Sequence, residues 1–175
     1  MHARLSHDVA KLVQSLSIVI VEDNSFTQKV QRGILAHLGV KEIHEAADGV
    51  AGLEAIRQYA PDLVIVDWNL PLLTGPELVR MVRSPHSFPL PDVPIIMLTM
   101  YGERWRVIQA QRLGAHEFLV KPVSAQTMLD RIVGIFMHPR PIVQLPNYYG
   151  PAPRGALAQF LRNERQASMV EQHAS

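Results

Sequence analysis

Leu63-Val64-Ile65-Val66-Asp67 is an unbroken apolar run closed by a carboxylate. Consecutive β-forming aliphatics with no polar alternation read as a strand buried on both faces, as in a parallel sheet covered by helices. The acid then falls at the strand's carboxyl end, where open α/β sheets place their ligands. Three other runs end in the same manner. Ile18-Val19-Ile20-Val21 stops at Glu22-Asp23, Pro94-Ile95-Ile96-Met97-Leu98 stops at Thr99, and Glu117-Phe118-Leu119-Val120 stops at Lys121. An acid pair, an acid, a hydroxyl and an ammonium are thereby expected on one rim.

Clustered carboxylates in a partly desolvated cleft repel one another and stay ionised only beside a cation, and all-oxygen ligation with retained water suits Mg²⁺. A carboxylate flanked by Mg²⁺, a hydroxyl and an ammonium is equipped to accept a phosphoryl group. The cations neutralise the transferring oxygens while the aspartate oxygen attacks in line. The chemistry expected is phosphorylation of an aspartate. One polar residue closing a buried strand is ordinary, but four such residues in this order make a site.

Between the strands the pattern turns helical. Ser25 is placed to cap a helix that runs to about Leu38 and ends at Gly39, and residues 41–46 read as the second strand. Asp48-Gly49 leads into a helix over 50–59 with Val50, Leu53, Ala55 and Ile56 as its apolar stripe, stopped by Pro61. A third helix spans 76–83 and begins with Pro76, followed by a turn-rich loop from Ser84 to Pro91. Helices over 103–113 and 125–137 complete the set. Repeated β-α units with short loops predict an α/β fold, a doubly wound five-stranded parallel sheet of order 2-1-3-4-5, with the site between strands one and three. On the helix over 125–137, Leu129, Ile132, Val133 and Phe136 form the core stripe. Met128, Ile135 and Met137 fall outside it and are expected on the surface, under a terminal extension, a second copy or a partner.

The segments Ile18-Val19-Ile20-Val21-Glu22-Asp23-Asn24, Asp67-Trp68-Asn69-Leu70-Pro71 with Thr74-Gly75, Ile96-Met97-Leu98-Thr99 and Phe118-Leu119-Val120-Lys121-Pro122 carry a family resemblance. From about Leu16 to His138 the chain resembles the receiver domain of two-component response regulators, of the stand-alone type. The resemblance implies a flavodoxin-like fold and makes Asp67 the phosphoacceptor. Asp23 would bind Mg²⁺ directly, Glu22 directly or through water, and Asn69 through its backbone carbonyl. Thr99 and Lys121 would hold the phosphoryl oxygens, Phe118 would be the aromatic coupled to Thr99, and Lys121-Pro122 would be cis. The phosphoryl group would come from a sensor histidine kinase or a phosphotransfer protein. Output would pass through the face formed by the helix over 103–113, the strand ending at Val120 and the helix over 125–137, near Tyr101, Trp105 and Phe118. The resemblance departs at Met100, where the family favours a small residue, and a bulky thioether there bears on donor access and phosphate lifetime.

With 175 residues and 47% hydrophobic content the chain supports one core of ordinary size, and a net charge of +1 gives no pull toward nucleic acid or anionic membrane. It has no cysteine, so neither a disulfide nor a thiolate metal site, and no apolar run approaches the ~18 residues of a membrane helix. The first 17 residues lack the apolar core of a signal peptide, which makes the cytoplasm the expected compartment. His37, His44, His86 and His116 show no metal-ligand spacing and read as surface or loop side chains.

Three regions are expected: an N-terminal extension over 1–15, the receiver over 16–138, and a proline-rich linker with a short helical tail over 139–175. In the last, Pro139, Pro141, Pro146, Pro151 and Pro153 break regular structure, Asn147-Tyr148-Tyr149-Gly150 reads as an aromatic turn, and 154–171 could form a helix. The tail is too short for a DNA-binding domain. A downstream protein or a second copy is expected to dock on the helix over 125–137 and the tail, with Tyr148 and Tyr149 as anchors. A Mg²⁺ phosphohydrolase would need a second acid two residues after its nucleophile, and position 69 is Asn, so the chain is not read as an enzyme beyond its own phosphorylation and dephosphorylation. The remaining alternative is a receiver-like binding module that works without phosphate.

Overall fold

The computed structural model describes residues 6–155, 158, 159 and 163. The expected helix over 154–171 lies for the most part outside them. Five parallel strands, β1 (Ser17–Val21), β2 (Glu42–Ala46), β3 (Leu63–Asp67), β4 (Ile95–Thr99) and β5 (Glu117–Val120), form one sheet in the order β2-β1-β3-β4-β5. Every residue of β1, β3 and β4 is buried. This is why those runs carry no polar alternation.

The two-residue period sorts them between two layers. Val19, Val21, Val64, Val66 and Met97 pack on one face with Leu53 and Ile56 of α3 (Gly49–Tyr59), Leu78 and Val82 of α4 (Gly75–Val82) and Ala110 of α5 (Arg104–Leu113). Ile18, Ile20, Leu63, Ile65 and Leu98 pack on the other with Leu35 of α2 (Ser25–Leu38), Ile132 of α6 (Ala125–Met137) and Val13 of α1 (His7–Ser15). Asn24 rather than Ser25 caps α2, its side chain accepting from Thr27 N. A capping box of Thr74 and Glu77 opens α4.

Two expectations about α6 are corrected. Met128 and Ile135 are buried, and of the three residues placed outside the core stripe only Met137 is exposed. Both join the cluster that contains Val13 of α1, so the N-terminal extension, one of the covers expected for them, shares that core. Ser6 caps α1 by accepting from Val9 N.

The proline-rich stretch also differs from expectation. It forms an antiparallel hairpin of β6 (Ile142–Leu145) and β7 (Tyr148–Pro151). Pro141 precedes β6, Pro146 lies in the turn and Pro151 closes β7, places where a missing N–H costs little. Tyr148 is buried, and the Tyr149 hydroxyl donates to Asp92 Oδ1 at 2.5 Å. Neither tyrosine is therefore a free anchor. Arg140 ties the hairpin to the sheet by donating to His116 O at 2.6 Å and Ala152 O at 3.0 Å.

His116 lies in the loop between α5 and β5, as one half of its surface-or-loop reading expected, but its ring is not a surface group. Its Nδ1 lies 3.3 Å from both Ile95 N and Arg83 Nη2. Burial, reinforced by Arg83, Arg140 and Arg154, pushes the imidazole from 6.5 down to about 3. Because the folded value is the lower one, between those limits the unfolded chain binds a proton that the folded chain refuses, so stability falls as pH falls. The loss is at most about 1.4 kcal/mol per pH unit. Urea unfolding at pH 7, 5.5 and 4 should show His116→Gln losing less stability on acidification than the wild type. Parallel losses would show that His116 is not the acid-labile group.

Candidate functional site

β1, β3, β4 and β5 end on one rim and deliver Glu22, Asp23, Asp67, Thr99 and Lys121 to it. Asp67 is 6% exposed. Its Oδ1 lies 2.7 Å from Lys121 Nζ and its Oδ2 accepts from Asn69 N at 3.1 Å. Glu22, 2% exposed, meets the same ammonium at 2.5 Å, so Lys121 spans two carboxylates. Asp23 alone of the three acids is exposed.

Backbone bonds set this placement. Trp68 N donates to Leu98 O at 2.8 Å and Lys121 N to Thr99 O at 2.8 Å, which joins the ends of β3, β4 and β5. The Lys121–Pro122 peptide is cis. Gly75 lets α4 start against the acceptor strand, because a Cβ there would lie 2.2 Å from Asp67 O. Thr99 is fully buried, and its hydroxyl accepts from Tyr101 N at 3.1 Å. Phe118 is half-buried and packs edge-on against Trp68, with ring centroids 6.1 Å apart.

The electrostatics separate the roles. Burial alone would push the Lys121 ammonium down, but its bonds to Asp67 and Glu22 hold it above its ordinary value. Burial raises Glu22 above the ordinary carboxylate value, and the nearby Asp67 charge adds to that, while Lys121 and Asn24 N oppose it. Lysine faces two anions and Glu22 faces one of each sign, so the burial cost prevails only at Glu22.

The three acids fit a hard divalent cation. Glu22, Asp23 and Asp67 each offer an oxygen, all within 4.8 Å of one another, and the exposed Asp23 leaves a path from solvent. The set is all oxygen, as Mg²⁺ requires.

Sequence reasoning missed the residues that hold Glu22. Gln31 Nε2 donates to Glu22 Oε2 at 3.1 Å, and Gln28 Nε2 donates to Glu22 O at 3.1 Å. A signal was available, since Gln31 stands four residues before the core residue Leu35 on the same face of α2. It also missed Arg106, which stacks within 5.2 Å of three aromatic rings.

Residues 18–133 match the model of the response regulator receiver domain. The chain is 33% identical to the chemotaxis protein CheY of Pseudomonas aeruginosa, over 69% of this chain and 96% of that one. It is 31% identical to chemotaxis protein CheY-3 of Vibrio cholerae, over 73% of this chain and 96% of that one. The fold superimposes on the receiver domain of the Francisella response regulator 1452 with a TM-score of 0.64 at 20% identity, covering 71% of this chain and 98% of the other.

Proposed function

The chain belongs to the response regulator receiver family, and from that premise we propose that Asp67 takes a phosphoryl group from a phosphohistidine donor, dependent on Mg²⁺, and that the signal leaves by protein contact in the cytoplasm. The observation that carries this reading is Asp67 Oδ1 at 2.7 Å from Lys121 Nζ, in a cluster of three acids at the strand ends. Glu22, Asp23 and Asp67 would hold the Mg²⁺, with the Asn69 carbonyl as a further ligand. Bound there, the ion would neutralise phosphoryl oxygens during transfer. Lys121 supplies the second positive charge. Thr99 donates its hydroxyl to the bound phosphoryl oxygen, and Phe118 moves with it.

The donor has a surface to meet. A groove of about 230 Å³ reaches Lys121 and is lined by Phe26, Val30 and Ile34 of α2 together with Met100, Val123 and Met128. Phe26 is 75% exposed and Met100 63%, so apolar area is available beside the acceptor. Met100 thus borders the donor's approach. Output is assigned to the exposed Tyr101, Trp105 and Val120, where a downstream protein or a second copy docks. Among the described residues, no helix is long and apolar enough to cross a membrane.

One observation favours a module that works without phosphate: Lys121 is already paired with both Glu22 and Asp67. Acetyl phosphate with Mg²⁺ decides between the two. On a phosphate-affinity gel the protein is expected to shift, and chelation of Mg²⁺ is expected to remove the shift. An unshifted protein with both acetyl phosphate and a phosphohistidine donor leaves only the phosphate-independent module.

A further inference from the structure

We infer that Arg106 is the positioning residue that couples the phosphorylation site to the exposed surface of α5, through a cage of three aromatic rings whose walls grow from the acceptor strand, the Thr99 strand and α5 itself. The inference rests on the proposed function and names the contact by which that site reaches its output. Arg106 Cζ lies 5.1 Å from the Trp68 ring centroid, 5.2 Å from that of Tyr101 and 4.7 Å from that of Trp105. The Trp68 and Trp105 rings meet edge to face, with centroids 5.9 Å apart at 89°.

Each wall has its own connection. Trp68 follows the acceptor directly and is clamped, its N–H donating to Leu98 O and its carbonyl accepting from Gly75 N. Tyr101 is held at the rim by its N–H on Thr99 Oγ1, and residues 101–103 before α5 have no regular structure. Trp105 is on α5 and 54% exposed, in reach of a partner. When the Thr99 hydroxyl turns to a phosphoryl oxygen, Tyr101 N follows it or loses its acceptor, and either response shifts one wall against the fixed Trp68.

Arg106 is suited to follow that shift. Glu103, at the start of α5, does not cap the helix with its side chain and instead lies 3.0 Å from Arg106 Nε. Arg106 Nη1 is buried without a hydrogen-bond partner among the described residues. The guanidinium is therefore held by ring faces and one carboxylate, contacts that tolerate sliding, and any rearrangement that gives Nη1 an acceptor is favoured. The Trp68 ring also receives the edge of Phe118, so both side chains register on one indole.

The test uses the full chain with Mg²⁺ and beryllofluoride, reading amide shifts near Asp67 and along residues 101–113. Fluorescence from the chain's two tryptophans, both walls of the cage, is the second readout. In Arg106→Ala the shifts near Asp67 should remain while most of those along α5 are lost. Arg106→Lys keeps the charge but not the flat face, and should recover only part of the response. A wild-type α5 response in Arg106→Ala overturns the assignment, as does full recovery in Arg106→Lys, which would leave charge as the whole role. If Arg106→Ala does not fold, the lysine variant decides alone. Wild-type shifts near Asp67 without any along α5 remove the coupling but not the proposed function. No shift near Asp67 in the wild type removes both.

Discussion

Asp67→Asn is expected to reduce labelling by acetyl phosphate or a phosphohistidine donor to background while the protein stays folded. The amide keeps the shape of the carboxylate but supplies no nucleophilic oxygen. Folding survives because the substitution does not orphan Lys121, whose ammonium retains Glu22 at 2.5 Å. One carboxylate and one ammonium are then balanced where two buried acids shared one cation. The variant should be at least as stable as the wild type without Mg²⁺, and should lose most of the stabilisation that Mg²⁺ gives the wild type. Thermal melts with and without Mg²⁺ read this directly. Lys121→Ala makes the opposite comparison, leaving Glu22 and Asp67 buried with no cation between them. Such a loss costs about 3–5 kcal/mol for a fully buried pair. Stoichiometric label retained on Asp67→Asn would end the assignment of Asp67.

The strands and their closing residues were legible because burial on both faces leaves little sequence freedom: Ile18–Val21 and Leu63–Val66 can only be core, and the first polar residue after each is forced to the rim. Their order followed from the repeated β-α unit. The environment of each site residue was not legible. Glu22 reads as a metal ligand in sequence, but in the fold its buried carboxylate is shared by Asn24 N and Gln31, from the loop and helix that follow β1, and by Lys121, which only the sheet order brings to it from the end of β5. Arg106 escaped for a related reason. A charged residue on a helix with a weak apolar stripe reads as solvated, and its ring partners Trp68 and Tyr101 come from two separate strand ends. Tyr148 and Tyr149 read as docking anchors in sequence because the turn chemistry of their segment is visible there and the place where the hairpin lands is not.

That landing place gives the second large effect. Gly114, at φ 90° after α5, faces the hairpin so closely that a Cβ would lie 2.3 Å from Tyr149 O and 3.2 Å from Arg83 Nε. From the other side, a Cβ on Gly150 would lie 2.7 Å from Gly114 Cα. The Arg83 side chain has little room to yield, being buried with Nε donating to Gly114 O at 2.9 Å and Nη1 to Pro91 O at 2.6 Å. Gly114→Ala therefore combines left-handed backbone strain with a backbone clash, together about 3 kcal/mol. For a chain of this size that lowers Tm by about 6–12 °C. Because both glycines belong to one contact, Gly114→Ala with Gly150→Ala should cost less than the sum of the two single changes. A Tm unchanged in both single variants would mean that the hairpin does not rest on the α5–β5 turn. If the hairpin is seated as described, deleting 140–175 removes part of the folded unit. Loss of partner binding in that truncation would then have to be compared with Gly114→Ala, which disturbs the seat and leaves the tail in the chain.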